Sequence, residues 1–300
     1  MEHHPRKTLL HGWHLAHGAK MAEFAGCEMP LWYASAKNEH LSVLTHAGAF
    51  DTSHMASLLV SGGDAFALLQ RCFTNDMAAC IGPDRKPLFP GRCIYGAFLN
   101  ERGEVIDDAI LFHLGPERYM VVVNAGMGPT VAAHLAAHAG GADVRIRDLT
   151  DRLGKMDVQG PLAARVAGKI LAAPDTVFDR MPYFSFKGHF DPEAPDAGAV
   201  RLVDGTPILL SRTGYTGEFG FEIFIAPESF ITLWERVIRA GEAFGLTACG
   251  LAARDSLRAG AVLPLSHQDI GPWPFLNTPW SFALPYDASG GGFTKPFIGD

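Results

Sequence analysis

Ser57-Leu58-Leu59-Val60 is an apolar tetrapeptide that runs into Gly62-Gly63 and then a helix-like stretch, Ala65–Leu69. It returns later in the chain as Lys155-Met156-Asp157-Val158, which meets Gly160-Pro161 and a second helix-like stretch, Leu162–Leu171. An aliphatic run stopped by glycine reads as a strand entering a turn. Each copy continues with a hairpin and another helix. In the first, Asp108–Leu114 and Arg118–Asn124 flank the turn Gly115-Pro116-Glu117, and Met127–Ala139 spaces its apolar residues helically. In the second, Thr206–Arg212 and Gly220–Ile225 flank a glycine-rich turn, and Pro227–Phe244 reads as an amphipathic helix. Strand–helix–hairpin–helix, twice over, predicts two ferredoxin-like βαββα(β) units, with Val144-Arg145-Ile146-Arg147 closing the first. The expected class is α+β with a pseudo-duplicated core.

Working outward, residues 1–50 form an N-terminal arm ahead of the repeat, which places the first domain at 1–150, the second half at 151–265 and a C-terminal extension at 266–300. Residues 187–198, polar and rich in Pro and Gly, read as a surface loop, and Pro272 to Gly292 is rich in Pro, Trp and Gly without a closing pattern. With 300 residues, 48% hydrophobic and 19% charged, the chain is long and apolar enough to bury a core and still leave a cleft. A net charge of −7 without any run of Lys and Arg excludes a nucleic-acid partner. Five scattered cysteines with no C-x-x-C pair predict free thiols in a reducing compartment. Met1 to Lys7 carries no apolar leader segment, and runs such as Met120–Val123 and Ile208–Leu210 are only strand-length, so a cytoplasmic protein with no membrane partner is expected.

The most informative segment is Ser211-Arg212-Thr213-Gly214-Tyr215-Thr216-Gly217-Glu218-Phe219-Gly220-Phe221-Glu222. Taken alone, it is a glycine-rich hairpin in which each glycine can supply a positive φ. A phosphate cradle is a poor reading, since no helix N-terminus follows. His11, His14 and His17 suggest a metal, but i and i+6 do not share a helix face and no acidic or thiol partner stands at ligand spacing, so no metal is expected.

As a whole string the segment resembles the glycine-cleavage T-protein family, and further segments agree in that family's order. They are His17-Gly18-Ala19-Lys20-Met21, Gly48-Ala49-Phe50-Asp51-Thr52-Ser53-His54-Met55, Thr74-Asn75-Asp76, Val105-Ile106-Asp107-Asp108, Val122-Val123-Asn124-Ala125 and Gly250-Leu251-Ala252-Ala253-Arg254-Asp255-Ser256-Leu257-Arg258. The resemblance implies a folate-binding core beside a C-terminal β-barrel, and the match ends near Lys295-Pro296-Phe297-Ile298-Gly299, where related chains enter that barrel; the barrel is expected to be missing or truncated. It also implies tetrahydrofolate as cofactor, a lipoyl-bearing H-protein as partner, and aminomethyl transfer with release of ammonia as the reaction. Asp108 matches the catalytic carboxylate and Glu222 the acid that recognises the pterin, while Tyr95, Tyr183, Tyr215, Met55, Asn124 and Arg254 fall on or near positions lining the folate site.

The residue types suit that chemistry. A buried carboxylate can pair bidentately with the donor edge of a pterin, and aromatic walls suit its flat ring. Methylene transfer needs a proton acceptor beside the nucleophile and stabilisation of iminium-like charge, both within reach of one carboxylate. Without the resemblance, Asp107-Asp108 is an ordinary turn or cap, Arg254-Asp255 a helix-surface pair, and Tyr95 and Tyr183 half-buried packing residues. Cys27, Ala56, Ala252 and the stretch Ala259-Gly260-Ala261-Val262-Leu263-Pro264 depart from the family pattern. They keep open a folate-dependent demethylase of an O-, N- or S-methyl compound, and a non-catalytic folate-binding accessory protein.

Overall fold

The computed structural model describes residues 4–191, 198–277, 281–287 and 291–300. Half of the loop expected at 187–198, namely 192–197, and parts of the Pro- and Gly-rich stretch at 278–280 and 288–290 lie outside the described residues.

The expected N-terminal arm is structured: β1 (Arg6–Lys7), α1 (His11–Ala16), β2 (Lys20–Phe24), β3 (Cys27–Trp32), α2 (Ala36–Thr45) and β4 (Ala47–Asp51). The first repeat runs β5 (Ala56–Ser61), α3 (Ala65–Cys72), β6 (Cys93–Leu99), β7 (Val105–Gly115), β8 (Arg118–Val123), α4 (Gly128–Ala139) and β9 (Arg145–Asp148). The second comprises β10 (Gly154–Gln159), α5 (Ala163–Ile170), α6 (Pro174–Phe178), β11 (Phe186–Lys187), β12 (Leu209–Ser211), β13 (Gly220–Ile225), α7 (Phe230–Gly241), β14 (Leu246–Cys249) and α8 (Leu251–Gly260). Among the described residues, no helix is long and apolar enough to cross a membrane.

The chain divides into two units that interleave in sequence, whereas the expected boundaries followed sequence order. One unit joins the segment ending at His54 to Asp151–Leu263; the other joins Met55–Thr150 to Pro264–Asp300.

In the Met55–Thr150 unit the sheet order is β6-β7-β8-β5-β9, with every pairing antiparallel. Strands β7-β8-β5-β9 are the ferredoxin-like arrangement predicted from the repeat, and β6 adds an edge strand. Side chains alternate across a strand. Leu58, Val60, Leu111, Val121 and Val123 therefore share one face, where they bury against Leu68 and Leu69 of α3 and Val131 and Leu135 of α4.

The other unit holds a six-stranded sheet in the order β11-β12-β13-β10-β4-β14, plus a small sheet β1-β3-β2. Here the N-terminal segment completes the second repeat: β4 pairs antiparallel with β10, and β14 lies parallel to β4. Ala47-Gly48-Ala49-Phe50-Asp51 is buried throughout. A Cβ on Gly48 would stand 2.5 Å from Val43 Cγ2 and 2.8 Å from Cys249 Sγ, so glycine is what fits at that position. The helix-facing side buries Met156, Val158, Ile223 and Ile225 against Val166, Leu233, Trp234 and Val237.

The repeat is geometric as well as sequential. Gly62 and Gly160 occupy equivalent strand-to-helix turns, and both adopt φ +123°. A Cβ at Gly160 would lie 2.6 Å from the Val43 carbonyl oxygen and 2.7 Å from that of His46. Gly160→Ala is expected to cost roughly 2–5 kcal/mol, from backbone strain and overpacking together. Urea denaturation would register this as a lower midpoint at unchanged m, and an unaltered midpoint would refute the assigned turn.

Candidate active site

In the Met55–Thr150 unit, pleat alternation sends Ala109 and Leu111 of β7 into the helix-covered core and leaves Asp108 on the opposite face. Asp108 stands opposite Ala97 of β6, whose methyl side chain lets Tyr95, two residues back, reach over it. Tyr95 Oη donates to Asp108 Oδ2 at 2.9 Å, and Asn124 Nδ2 donates to Asp108 Oδ1 at 2.7 Å. Asn124, just after β8, also clamps Asp107: its backbone N–H donates to Oδ2 at 2.8 Å and its Nδ2 to Oδ1 at 2.8 Å. Ser266 Oγ adds a bond to Asp107 Oδ1 at 3.0 Å, and His267 Nε2 lies 3.6 Å from the same atom.

The two acids differ in environment. Asp107 is fully buried and tied on both oxygens, whereas Asp108 is half-buried. Burial, reinforced by the neighbouring Asp108 charge, pushes the Asp107 carboxyl up to about 7 against its hydrogen bonds. Burial also raises Asp108, opposed by the hydrogen bonds from Tyr95, Ser266 and Asn124. Like charges this close titrate as a pair. The arrangement holds a proton near neutrality and can accept or release one, which is what an acid–base group requires.

The other unit carries a second polar cluster, on the sheet face opposite α5 and α7. Glu222 of β13 lies in register between Asp157 of β10 and Ser211 of β12. Lys155 Nζ pairs with Glu222 Oε1, donates to Asp157 Oδ1 at 3.0 Å and to Thr52 Oγ1 at 3.1 Å. Thr213 Oγ1 donates to Glu222 Oε2, and Arg254 Nη1 to Asp157 Oδ2 at 2.7 Å. Burial alone would raise the Asp157 carboxyl, but Lys155 and Arg254 together outweigh it and hold it at about 2. The Arg254 guanidinium also lies 4.9 Å from the Tyr215 ring centroid. Arg254 therefore bonds Asp157 across the sheet, while Asp255 pairs with Arg258 at 2.7 Å.

The glycines of the Ser211–Glu222 segment have a further reason to be there. A Cβ on Gly214 would fall 2.3 Å from Gln159 Oε1, and one on Gly220 2.2 Å from it. The Gln159 amide occupies that space, with Nε2 donating to the Thr213 carbonyl at 3.2 Å and the Phe221 carbonyl at 3.3 Å.

Of the residues singled out in the sequence, Tyr95, Asp108 and Asn124 come together in one cluster, and Glu222, Arg254 and Tyr215 belong to the other. Met55 directly precedes β5, whose first residue Ala56 pairs with Val123, next to Asn124. Tyr183 is 56% exposed and lies against the Arg212 guanidinium, 5.8 Å away, which itself stacks 3.8 Å over Phe219. Lys155, Asp157, Thr52, Asp107, Ser266 and His267 were not singled out as site residues. Lys155 and Asp157 sat inside a segment read only as a strand, where two charges among apolar residues were the available signal. Ser266 and His267 had none, because a single serine or histidine in an irregular stretch carries no pattern. The three N-terminal histidines part company: His14, fully buried, bonds Asp51 Oδ2 at 2.9 Å and Tyr33 Oη at 2.8 Å, His11 reaches Glu28 Oε2 at 2.9 Å, and His17 stacks on Trp13.

Duplicated α+β units, each packing a pair of helices on one sheet face and carrying a carboxylate cluster on the other, define the class of domain. The chain belongs to the GCVT N-terminal domain family, whose model matches residues 10–274. It is 38% identical to an aminomethyltransferase of Streptomyces coelicolor over 97% of this chain and 69% of that one. It is 37% identical to an aminomethyltransferase of Bacillus subtilis over 88% of this chain and 67% of that one. Among solved structures it is similar to glycine cleavage system aminomethyltransferase T from Bartonella henselae, with TM-score 0.70 and 33% identity over 87% of this chain and 63% of that one. The chain thus spans about two thirds of the length of these relatives.

Proposed function

We propose that this chain acts in tetrahydrofolate-dependent aminomethyl transfer. The carbon of an aminomethyl group passes from the sulfur of a lipoyl-bearing carrier, the H-protein, to two folate nitrogens, which it bridges as a methylene; the two protons those nitrogens lose leave on ammonia and on the carrier thiol. The observation that carries this reading is Asp108, half-buried and anchored by Tyr95 and Asn124 beside a second acid of raised pKa. Membership of a family whose relatives are named aminomethyltransferases supports the same reading.

These residues fit a folate. Tetrahydrofolate would supply the two amine nitrogens that receive the carbon. Asp108 takes up a proton that one of them sheds, and its charge opposes the positive charge developing on the carbon in transit. Asn124 and Tyr95 fix the carboxylate so that no reorganisation is needed when that charge appears. Asp107 is a positioning residue that orients Asn124 and keeps the pair's proton affinity high. Glu222, paired with Lys155, is the proposed pterin anchor: each of its oxygens already holds one donor and retains a lone pair for another. Arg254, Tyr215, Tyr183 and Met55 are the proposed lining residues. A cytoplasmic setting suits the five free thiols.

Isothermal titration with tetrahydrofolate tests the binding half directly: saturable one-to-one binding supports the reading, and no heat from a folded sample removes it. The acid pair also sets a pH signature. The rate should climb as the pair loses its proton and Asp108 becomes a base. The Tyr95 hydroxyl favours the ionised carboxylate, so Tyr95→Phe raises the Asp108 pKa further and moves the rising limb to higher pH. A limb that stays put, or moves to lower pH, would contradict that role.

A further inference from the structure

Cys72, at the end of α3, and His134 and His138, one turn apart on α4, converge where the two helices pack. The cysteine sulfur and one nitrogen of each ring all lie within 4.8 Å of one another. Residues i and i+4 share a helix face, and the two imidazole centroids are 4.6 Å apart. None of the three takes part in the carboxylate clusters.

The two histidines are prepared for coordination. His138 Nδ1 donates to the His134 carbonyl oxygen at 2.8 Å, which fixes its tautomer in the neutral ring and leaves the Nε2 lone pair available. Metal-bound histidines use this same arrangement, one ring N–H on a carbonyl and the other nitrogen on the ion. His134 Nε2 is buried and has no hydrogen-bond partner, an arrangement that costs free energy unless something binds there. Burial, with His138 adjacent, pushes His134 down to about 4, so its ring is neutral at physiological pH. Cys72 is fully buried, and burial pushes its thiol up to about 11.

We propose that Cys72, His134 and His138 form a binding site for a borderline-soft divalent transition-metal ion of the Zn2+ type, with water in the fourth position. One thiolate and two imidazoles are the donors such an ion prefers, and three protein ligands leave it four-coordinate with one open place. Binding breaks the Cys72 S–H bond, forms a sulfur–metal bond and releases the proton to solvent. Two cations face the site. The Arg71 guanidinium donates to the His138 carbonyl at 3.0 Å, and the Lys295 ammonium is held by the Gln70 and Phe73 carbonyls, with Asp76 and Cys80 near it. Both favour the thiolate and oppose the incoming ion.

The test is a titration of the full chain, freed of metal by a chelator, with Co2+ and then Zn2+. One equivalent of Co2+ should give a thiolate-to-cobalt charge-transfer band that Zn2+ bleaches, and Cys72→Ser should abolish that band. Because Cys72 is buried, His138→Gln, at a half-buried position, serves as the variant that keeps its fold, and it should weaken binding by about tenfold or more. Zinc should also raise the melting temperature of the parent chain more than that of His138→Gln. A cobalt spectrum without the band, a band that survives in Cys72→Ser, or unchanged affinity in His138→Gln would each overturn the proposal. None of these results bears on folate binding.

Discussion

Asp108→Asn is expected to lower turnover by about 10²-fold or more, the range of a general acid–base group, while leaving the dissociation constant for tetrahydrofolate nearly unchanged. The substitution preserves shape and most hydrogen bonding. The new amide oxygen can accept from Asn124 Nδ2, and its NH2 can donate to the Tyr95 hydroxyl, two of the partners the carboxylate has now. What is lost is a charge and a proton acceptor. Steady-state kinetics set beside binding measurements separate the two roles. A fall in kcat with constant Kd identifies a group acting in the transition state, whereas equal losses in both would make Asp108 a binding residue.

The second large effect is expected at Lys155, whose ammonium is the counter-ion of two buried carboxylates. Lys155→Met keeps the volume of the side chain and removes the charge, leaving Asp157 with Arg254 alone and Glu222 with no cation among the partners described. Breaking one side of a buried pair costs about 3–5 kcal/mol, because the remaining charge stays desolvated. The pH dependence of that loss follows from Asp157. Its carboxyl, held at about 2 in the fold, contributes stability at neutral pH that is lost only as the pH falls toward that value. Without Lys155 the Asp157 carboxyl protonates more readily, so the gap between variant and parent is widest near neutrality and narrows on acidification. Denaturation at pH 7 and pH 4 measures it. Adding Glu222→Gln to Lys155→Met should recover part of the stability, and a gap that widens in acid would refute the electrostatic account.

The repeat was legible because its signals are local. Leu58 and Val60 against Met156 and Val158, each strand stopped at a glycine, predict matching strand–helix turns. The structure places Gly62 and Gly160 at the same φ. The hairpins and long helices follow for the same reason, since pleat and helix periodicities are written in neighbouring residues. β4 was not legible. Ala47-Gly48-Ala49-Phe50-Asp51 has no alternation, and its place beside β10 is decided by what packs around it, Val43 and Cys249 above all. β6 escaped notice for a related reason: Cys93 to Leu99 is a mixed, glycine-bearing run whose strand character comes from pairing with β7.

At the sites, motif resemblance picked out Asp108, Asn124 and Tyr95, and the structure joins them by hydrogen bonds. Glu222 and Arg254 were singled out without the groups that hold them. Lys155 and Asp157 lie far from both in sequence, and their role depends on strand register, which no short motif encodes. Arg254 illustrates the same limit: its neighbour in sequence is Asp255, but its partner is Asp157.

The central claim is aminomethyl transfer to tetrahydrofolate, and the most direct test supplies both substrates at once. The chain, tetrahydrofolate and an aminomethyl-loaded lipoyl carrier protein are mixed, and methylene-tetrahydrofolate and ammonia are quantified together. Formation of the two in equal amounts, dependent on Asp108, is the predicted result. Absence of both from a folded sample that binds tetrahydrofolate would contradict it.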